Sequence, residues 1–116
     1  MSDPVDAMQV VCERYGAAFV MTPLDAIVSV AQNVGSGALP VNGLRHAQGE
    51  TSGWFLSAGA ELSDADDFFE PIHARHLADR CPDVMPLLGL APGWRFLIAP
   101  NHEDVWFDAA LLNHDA

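Results

Sequence analysis

The clearest hydrophobic pattern lies near the carboxyl end of the chain, where two arms rich in aromatic and branched residues flank a Pro-Asn pair. Trp94, Phe96 and Ile98 fall on one face of the first arm, because side chains alternate along a strand. The Pro-Asn pair favours a chain reversal. The pattern therefore predicts a β-hairpin over residues 93–108, onto which the other elements must pack, since an isolated hairpin is marginal in water.

Helical spacing of apolar residues appears in two other segments. Pro4–Tyr15 has one apolar side, an aspartate that can cap its first turn and a glycine that stops it. Residues 72–80 repeat apolar and histidine side chains at helical spacing and end before a Cys-Pro pair. Residues 83–88 are predicted to form one further short turn.

Strands are predicted where β-branched and aromatic residues concentrate, at 25–34 and 54–58, with a short extended run at 17–21. Residues 39–41 are predicted to be extended and to lead into a long polar loop over 42–53. This order predicts an α+β fold with a mostly antiparallel sheet, a C-terminal β-hairpin and two to three helices packed on one face. The length of 116 residues predicts a single domain, 1–116.

The charge balance is the most unusual property of the composition. Sixteen acidic residues stand against five arginines and no lysine, which gives a formal net charge of −11. Such a surface repels nucleic acid and attracts a basic protein partner, although the same charge can serve solubility alone. The chain has no apolar run of membrane-spanning length and no signal-peptide pattern at its start, so we expect no membrane association and a cytoplasmic location.

Signals for catalysis are weak. His73 and His76 are three residues apart on a predicted helix, but they lack a third ligand in a recognised zinc pattern. A nucleophile elbow and a phosphate-binding loop are both missing. Cys12 and Cys81 are far apart and are expected to be free thiols. The sequence therefore predicts a protein that is not an enzyme and has no cofactor and no metal.

The densest acidic stretch, residues 61–70, is the first candidate for partner binding. It combines five carboxylates with Phe68 and Phe69, and an apolar anchor rimmed by negative charge suits a basic protein surface. In the alternative interpretation the two phenylalanines pin the segment to the core and the acids only face water. The predicted partner-binding residues here are Asp64, Asp66, Asp67 and Glu70.

The polar 42–53 segment is the second candidate, because long loops often carry binding function. Arg45 and His46 are its adjacent pair of cationic or potentially cationic side chains and complete the predicted partner-binding set. They can instead neutralise nearby carboxylates. This loop supports a second hypothesis, in which the chain is a stand-alone regulatory module that binds a small ligand or another protein through residues 42–53, with Arg45 as the anion contact.

Several segments together are similar to one known family. They are 39–46, 52–55, 66–73, 88–99 and 103–108. The specific parts are Pro-Gly-Trp-Arg-Phe-Leu-Ile at 92–98 and Glu-Asp-Val-Trp-Phe-Asp at 103–108. The chain resembles the bacterial immunity-protein thirty-three-like domain family of polymorphic toxin systems, from about residue 30 to residue 112. The resemblance implies a cytosolic, non-enzymatic protein that protects its producer by binding and blocking a toxin. It implies no catalytic or metal residues.

Overall fold

Six β-strands form one mixed sheet in the computed structural model, which describes residues 4–35, 39–47, 51–59 and 69–113. The neighbour order across the sheet is β4-β1-β3-β2-β5-β6. β1 and β3 are parallel, and the other neighbours are antiparallel. The predicted α+β class with a mostly antiparallel sheet is therefore confirmed. The strands are β1 (Ile27–Ala31), β2 (Val41–Arg45), β3 (Trp54–Ala58), β4 (Phe69–His73), β5 (Trp94–Ala99) and β6 (His102–Phe107).

The C-terminal hairpin is confirmed. β5 and β6 pair in register from Trp94 with Phe107 to Ala99 with His102, so only two residues form the turn. The second of these, Asn101, has φ 61°, a left-handed conformation that asparagine tolerates better than most residues. Phe96 lies in the core and is 1% exposed.

Outside the sheet, the described residues form two α-helices and two 3-10 helices. They are α1 (Pro4–Tyr15), α2 (Ala74–Arg80) and the 3-10 helices Pro82–Gly89 and Ala109–Asn113. Buried residues of α1 and α2, such as Met8 and Leu77, belong to the same core cluster as Val30, Leu56 and Phe96 of the sheet. In the described part of the chain no helix is both long and apolar enough to cross a membrane.

The prediction of one long loop over 42–53 is wrong, because β2 occupies its first residues. Gly43 suggested a turn, but it lies inside the strand and pairs with Leu56 and Phe96 on the two sides. A Cβ at this position would meet the ring of Phe96. Glycine is therefore required here for close packing of a side chain against the strand rather than for a chain reversal.

The predicted start of the second helix at residue 72 is also wrong, because β4 runs to His73 and α2 begins at Ala74. Pro71 suggested a boundary, yet it lies within β4 opposite Ser29 of β1. Proline is tolerated at the edge of a sheet because its missing N–H need not face a neighbouring strand. β4 is the edge strand on that side, so the position is consistent with this rule.

The extended run predicted at 17–21 is reduced to a single bridge between Phe19 and Leu90. The Val20 N–H donates to the carbonyl of Gly89, 2.9 Å away. This bridge brings the segment after α1 against the end of the first 3-10 helix. Both segments contribute to the surroundings of Arg45.

Candidate functional site

Arg45 is fully buried at the end of β2, with 0% exposure. Its Nε donates to the Ser52 carbonyl at 2.9 Å. Its Nη1 lies 2.7 Å from the carbonyl oxygens of both Val20 and Leu90, and 3.4 Å from that of Leu88. The guanidinium thus joins three segments that are distant in sequence, through backbone acceptors rather than through a carboxylate.

The charge of Arg45 is retained despite this burial. Its guanidinium carbon lies 5.5 Å from the ring centroid of Trp54. This is a cation–π contact that is shielded from solvent. Burial lowers the pKa of Arg45 to about 10, which still leaves it protonated at neutral pH. Its Nη2 is buried and has no hydrogen-bond partner among the described residues. Arg45 is therefore a charged core residue, and its guanidinium forms no part of the surface.

His46 follows Arg45 and is half-buried. Its ring packs edge-on against Phe55 with centroids 5.3 Å apart. Its Nδ1 lies 3.3 Å from the carbonyl oxygen of Leu111 in the second 3-10 helix. These contacts give His46 a role in holding the chain after β6 against the sheet, and they leave part of the side chain exposed.

Glu70 lies on β4, where its Oε1 is 2.5 Å from Nη1 of Arg80 and its side chain is 46% exposed. Asp64, Asp66 and Asp67 lie outside the described residues. β1 and β3 separate Glu70 from Arg45 and His46, which corresponds to three strand spacings or about 14 Å. The structure therefore does not bring Glu70 together with Arg45 and His46 into one site.

The sheet face opposite the core cluster carries one side-chain row that runs across all six strands. The register places Pro71, Ser29, Phe55, Leu44, Arg95 and Trp106 side by side in that order. Arg95 lies 5.5 Å from the Trp106 ring centroid and 3.2 Å from the Asp108 carboxylate. Trp106, at the end of the row, is 40% exposed. This face is partly apolar, and the exposed members of the row are at its two ends, Pro71 on β4 and Trp106 on β6.

β6 is the most exposed strand of the described sheet. All of its residues except Val105 are exposed, including the aromatic side chains of Trp106 and Phe107 at 40% and 49%. Glu103 and Asp104 precede them with side-chain exposures of 35% and 59%. Sequence reasoning treated this strand only as a fold element. The signal was nevertheless present, as two adjacent acids followed closely by Trp and Phe.

Positive charge on the described surface is largely neutralised. Arg14 lies 3.4 Å from Glu103, and Arg80 and Arg95 form ion pairs with Glu70 and Asp108. Arg75 is exposed, and Arg45 is buried. With sixteen acids in the chain, most carboxylates have no arginine to pair with, so the negative potential of the surface is uncompensated.

One open groove of about 960 Å³ lies between the hairpin turn and the junction of α2 with the first 3-10 helix. Arg14 and Arg80 line it, but both already form ion pairs. Cys81 also lines it, and burial, with a smaller contribution from Asp83, raises the pKa of its thiol. The described residues contain no group of three or more histidine, cysteine, aspartate or glutamate side chains that could hold a metal ion. Both arginines of the groove are thus already paired, so among the described residues that line it no arginine is free to hold an anionic ligand.

Comparison with protein families identifies the class of the chain. The sequence model of one family, the Imm33-like domain, matches residues 7–108 of the chain. This range includes all six strands and most of α1. The chain therefore belongs to the Imm33-like domain family, as the resemblance in its sequence suggested, and the match begins earlier than the expected residue 30. Comparison with curated proteins and with solved structures gave no match.

Proposed function

We propose that this protein is an immunity protein that neutralises a cognate toxin by binding it and covering its active site, without catalysis of its own. Membership of the Imm33-like family over residues 7–108 is the observation that carries the proposal. The partner is a basic protein, because a chain with a net charge of −11 attracts positive surfaces over long range.

The size of the molecule is compatible with a steric mechanism. A standard interface buries about 800 Å² on each partner, which is about one eighth of the 6616 Å² surface of this chain. An area of this size placed over a toxin's cleft excludes substrate without any chemical step. Affinity then depends on a few well-packed anchors, and charge mainly sets the rate of association.

The acidic stretch 61–70 is proposed to accelerate encounter with the toxin through Asp64, Asp66, Asp67 and Glu70. Arg45 has no place in this surface because its guanidinium is buried. The alternative of a small-ligand module depended on Arg45 as an anion contact. Since backbone carbonyls occupy that group, the described residues do not favour the alternative.

Co-expression with the toxin encoded by the adjacent gene tests the function directly. We expect the chain to restore growth and the purified proteins to form a complex whose association slows as salt increases. Failure to protect, with no complex at low salt, would overturn the proposal.

A matched pair of triple variants tests the acidic stretch. Replacing Asp64, Asp66 and Asp67 with asparagine is expected to lower the association rate constant about tenfold at low salt and to change the dissociation rate constant little. The control carries Asp6→Asn, Glu13→Gln and Asp25→Asn, which removes the same charge from exposed positions elsewhere. Equal slowing by both triple variants would show that net charge, and not this stretch, guides the encounter.

A further inference from the structure

The two edges of the sheet differ in their capacity to accept another strand. β4, at one edge, contains Pro71, which has no N–H to offer, and such prolines protect an edge from pairing. β6, at the other edge, has six residues and no proline. Among the described residues it pairs with β5 alone. β6 is therefore the edge that is open to a further strand.

The hairpin geometry identifies which backbone groups of β6 point outward. In a two-residue hairpin the residues that flank the turn, Ala99 and His102, form a hydrogen-bonded pair, and such pairs alternate along the ladder. The Asp108 N–H donates to the Gly93 carbonyl at 2.7 Å, as this alternation requires. Hence Glu103, Val105 and Phe107 direct their N–H and C=O groups away from β5.

The side chains beside this edge form two halves of different chemistry. Glu103 and Asp104 place carboxylates on opposite faces of the first half, and Asp104 is 59% exposed. Trp106 and Phe107 place exposed aromatic rings on opposite faces of the second half. A strand added here meets negative charge at one end and apolar surface at the other.

The negative charge of the chain distinguishes between the possible strands that could pair with β6. A second copy of this chain carries the same net charge of −11, so long-range repulsion opposes the pairing of two copies at this edge. A cationic segment has the complementary charge and gains chiefly from the exposed carboxylate of Asp104, since Glu103 already forms an ion pair with Arg14.

We infer that β6 is the docking strand for the partner, and that it accepts an extended segment with lysine or arginine in one half and apolar side chains in the other. This inference rests on the proposed function for the identity of the partner. Backbone hydrogen bonds to Glu103, Val105 and Phe107 supply the pairing, and the alternating side chains supply selectivity.

Amide hydrogen exchange by NMR provides the direct test, using the full chain with and without a catalytically inactivated toxin domain from the adjacent gene. In the free chain, we expect slow exchange at Asp104 and Trp106 and fast exchange at Glu103, Val105 and Phe107. In the complex, those three amides should become protected at least tenfold. A complex in which they still exchange fast overturns the docking strand and leaves the proposed function standing, whereas absence of any complex overturns both.

Val105→Pro and Val105→Ala form a matched pair for the backbone contribution. Both remove the valine side chain, but only the proline removes the outward N–H, and neither removes a bond to β5. We expect the proline variant to bind the same toxin domain about tenfold more weakly than the alanine variant, with both melting cooperatively. Equal affinities overturn the inference, and so does a free chain that is already a dimer with protected β6 amides.

Discussion

Replacement of Arg45 by methionine tests whether the buried guanidinium organises the core. Methionine retains most of the volume but removes every donor from a place with 0% exposure. The carbonyl of Leu88 keeps two other donors, the Thr22 hydroxyl at 2.6 Å and the Trp54 indole N–H at 3.2 Å. The carbonyls of Val20, Ser52 and Leu90 lose the donor that the guanidinium supplies.

The expected loss of stability is a difference between two larger effects. The carbonyls of Ser52 and Leu90 are buried and that of Val20 is half-buried, and losing this donor costs about 2 kcal/mol for each, or about 6 kcal/mol together. Removing the charge relieves the desolvation that lowers the pKa of Arg45 to about 10, a gain of about 3 kcal/mol. The net loss is about 3 kcal/mol, which lowers the Tm of a chain of this length by about 12 °C.

Thermal and urea unfolding followed by tryptophan fluorescence measure this loss, since Trp54 lies against the guanidinium. Arg75→Met is the control, because Arg75 is exposed and its replacement should change stability by less than about 0.5 kcal/mol. Arg45→Lys should not restore stability, since one compact ammonium does not reach acceptors on three segments. An Arg45→Met protein that melts within about 2 °C of the parent would refute this reasoning.

Two further predictions concern close packing and thiol chemistry. Gly43→Ala should lower the free energy of unfolding by about 2 kcal/mol, because the new methyl group meets the buried Phe96 ring. Gly16→Ala is the control: its φ is 69° and the space around it is open, so it should cost only about 1 kcal/mol of backbone strain. Similar urea midpoints for the two variants would contradict this ranking. Cys81 should react with iodoacetamide at pH 8 more slowly than a free cysteine, because its raised pKa leaves less thiolate, and the rate should still be rising above pH 9. Asp83→Asn should increase the rate at pH 8 by removing a charge that raises this pKa, and an unchanged rate, followed by mass spectrometry, would argue against that contribution.

The elements predicted correctly from sequence are those whose signals are local. The hairpin combines alternating apolar residues with a Pro-Asn turn, and α1 combines helical spacing with a cap and a stop. β2 was missed because Gly43 is a turn residue by composition, and the reason for its presence, the Phe96 ring, comes from a distant strand. β4 was missed because Pro71 is acceptable only at an edge, and the order of strands is a tertiary property.

The position of Arg45 could not be predicted from its neighbours in sequence. An arginine in a polar segment is normally at the surface, and the acceptors that hold it here come from residues 20, 52, 88 and 90. By contrast, the exposed acids and aromatics of β6 follow from the alternation of one strand. Their proposed role in binding depends on the position of β6 at the edge of the sheet, which is a tertiary property.

The order of strands also affects how the chain reaches this fold. β2 with β3 and β5 with β6 are close in sequence, but β1 must find β3 and β4, and β2 must find β5, across long stretches of chain. Closing such loops is entropically slow, so contact order predicts folding in milliseconds to seconds rather than microseconds. During that interval the edges of β1, β3 and β2, which the finished sheet buries, are exposed to other chains and prone to aggregation. The same topology that leaves one edge available in the native protein thus makes the newly synthesised chain dependent on rapid assembly of its central strands.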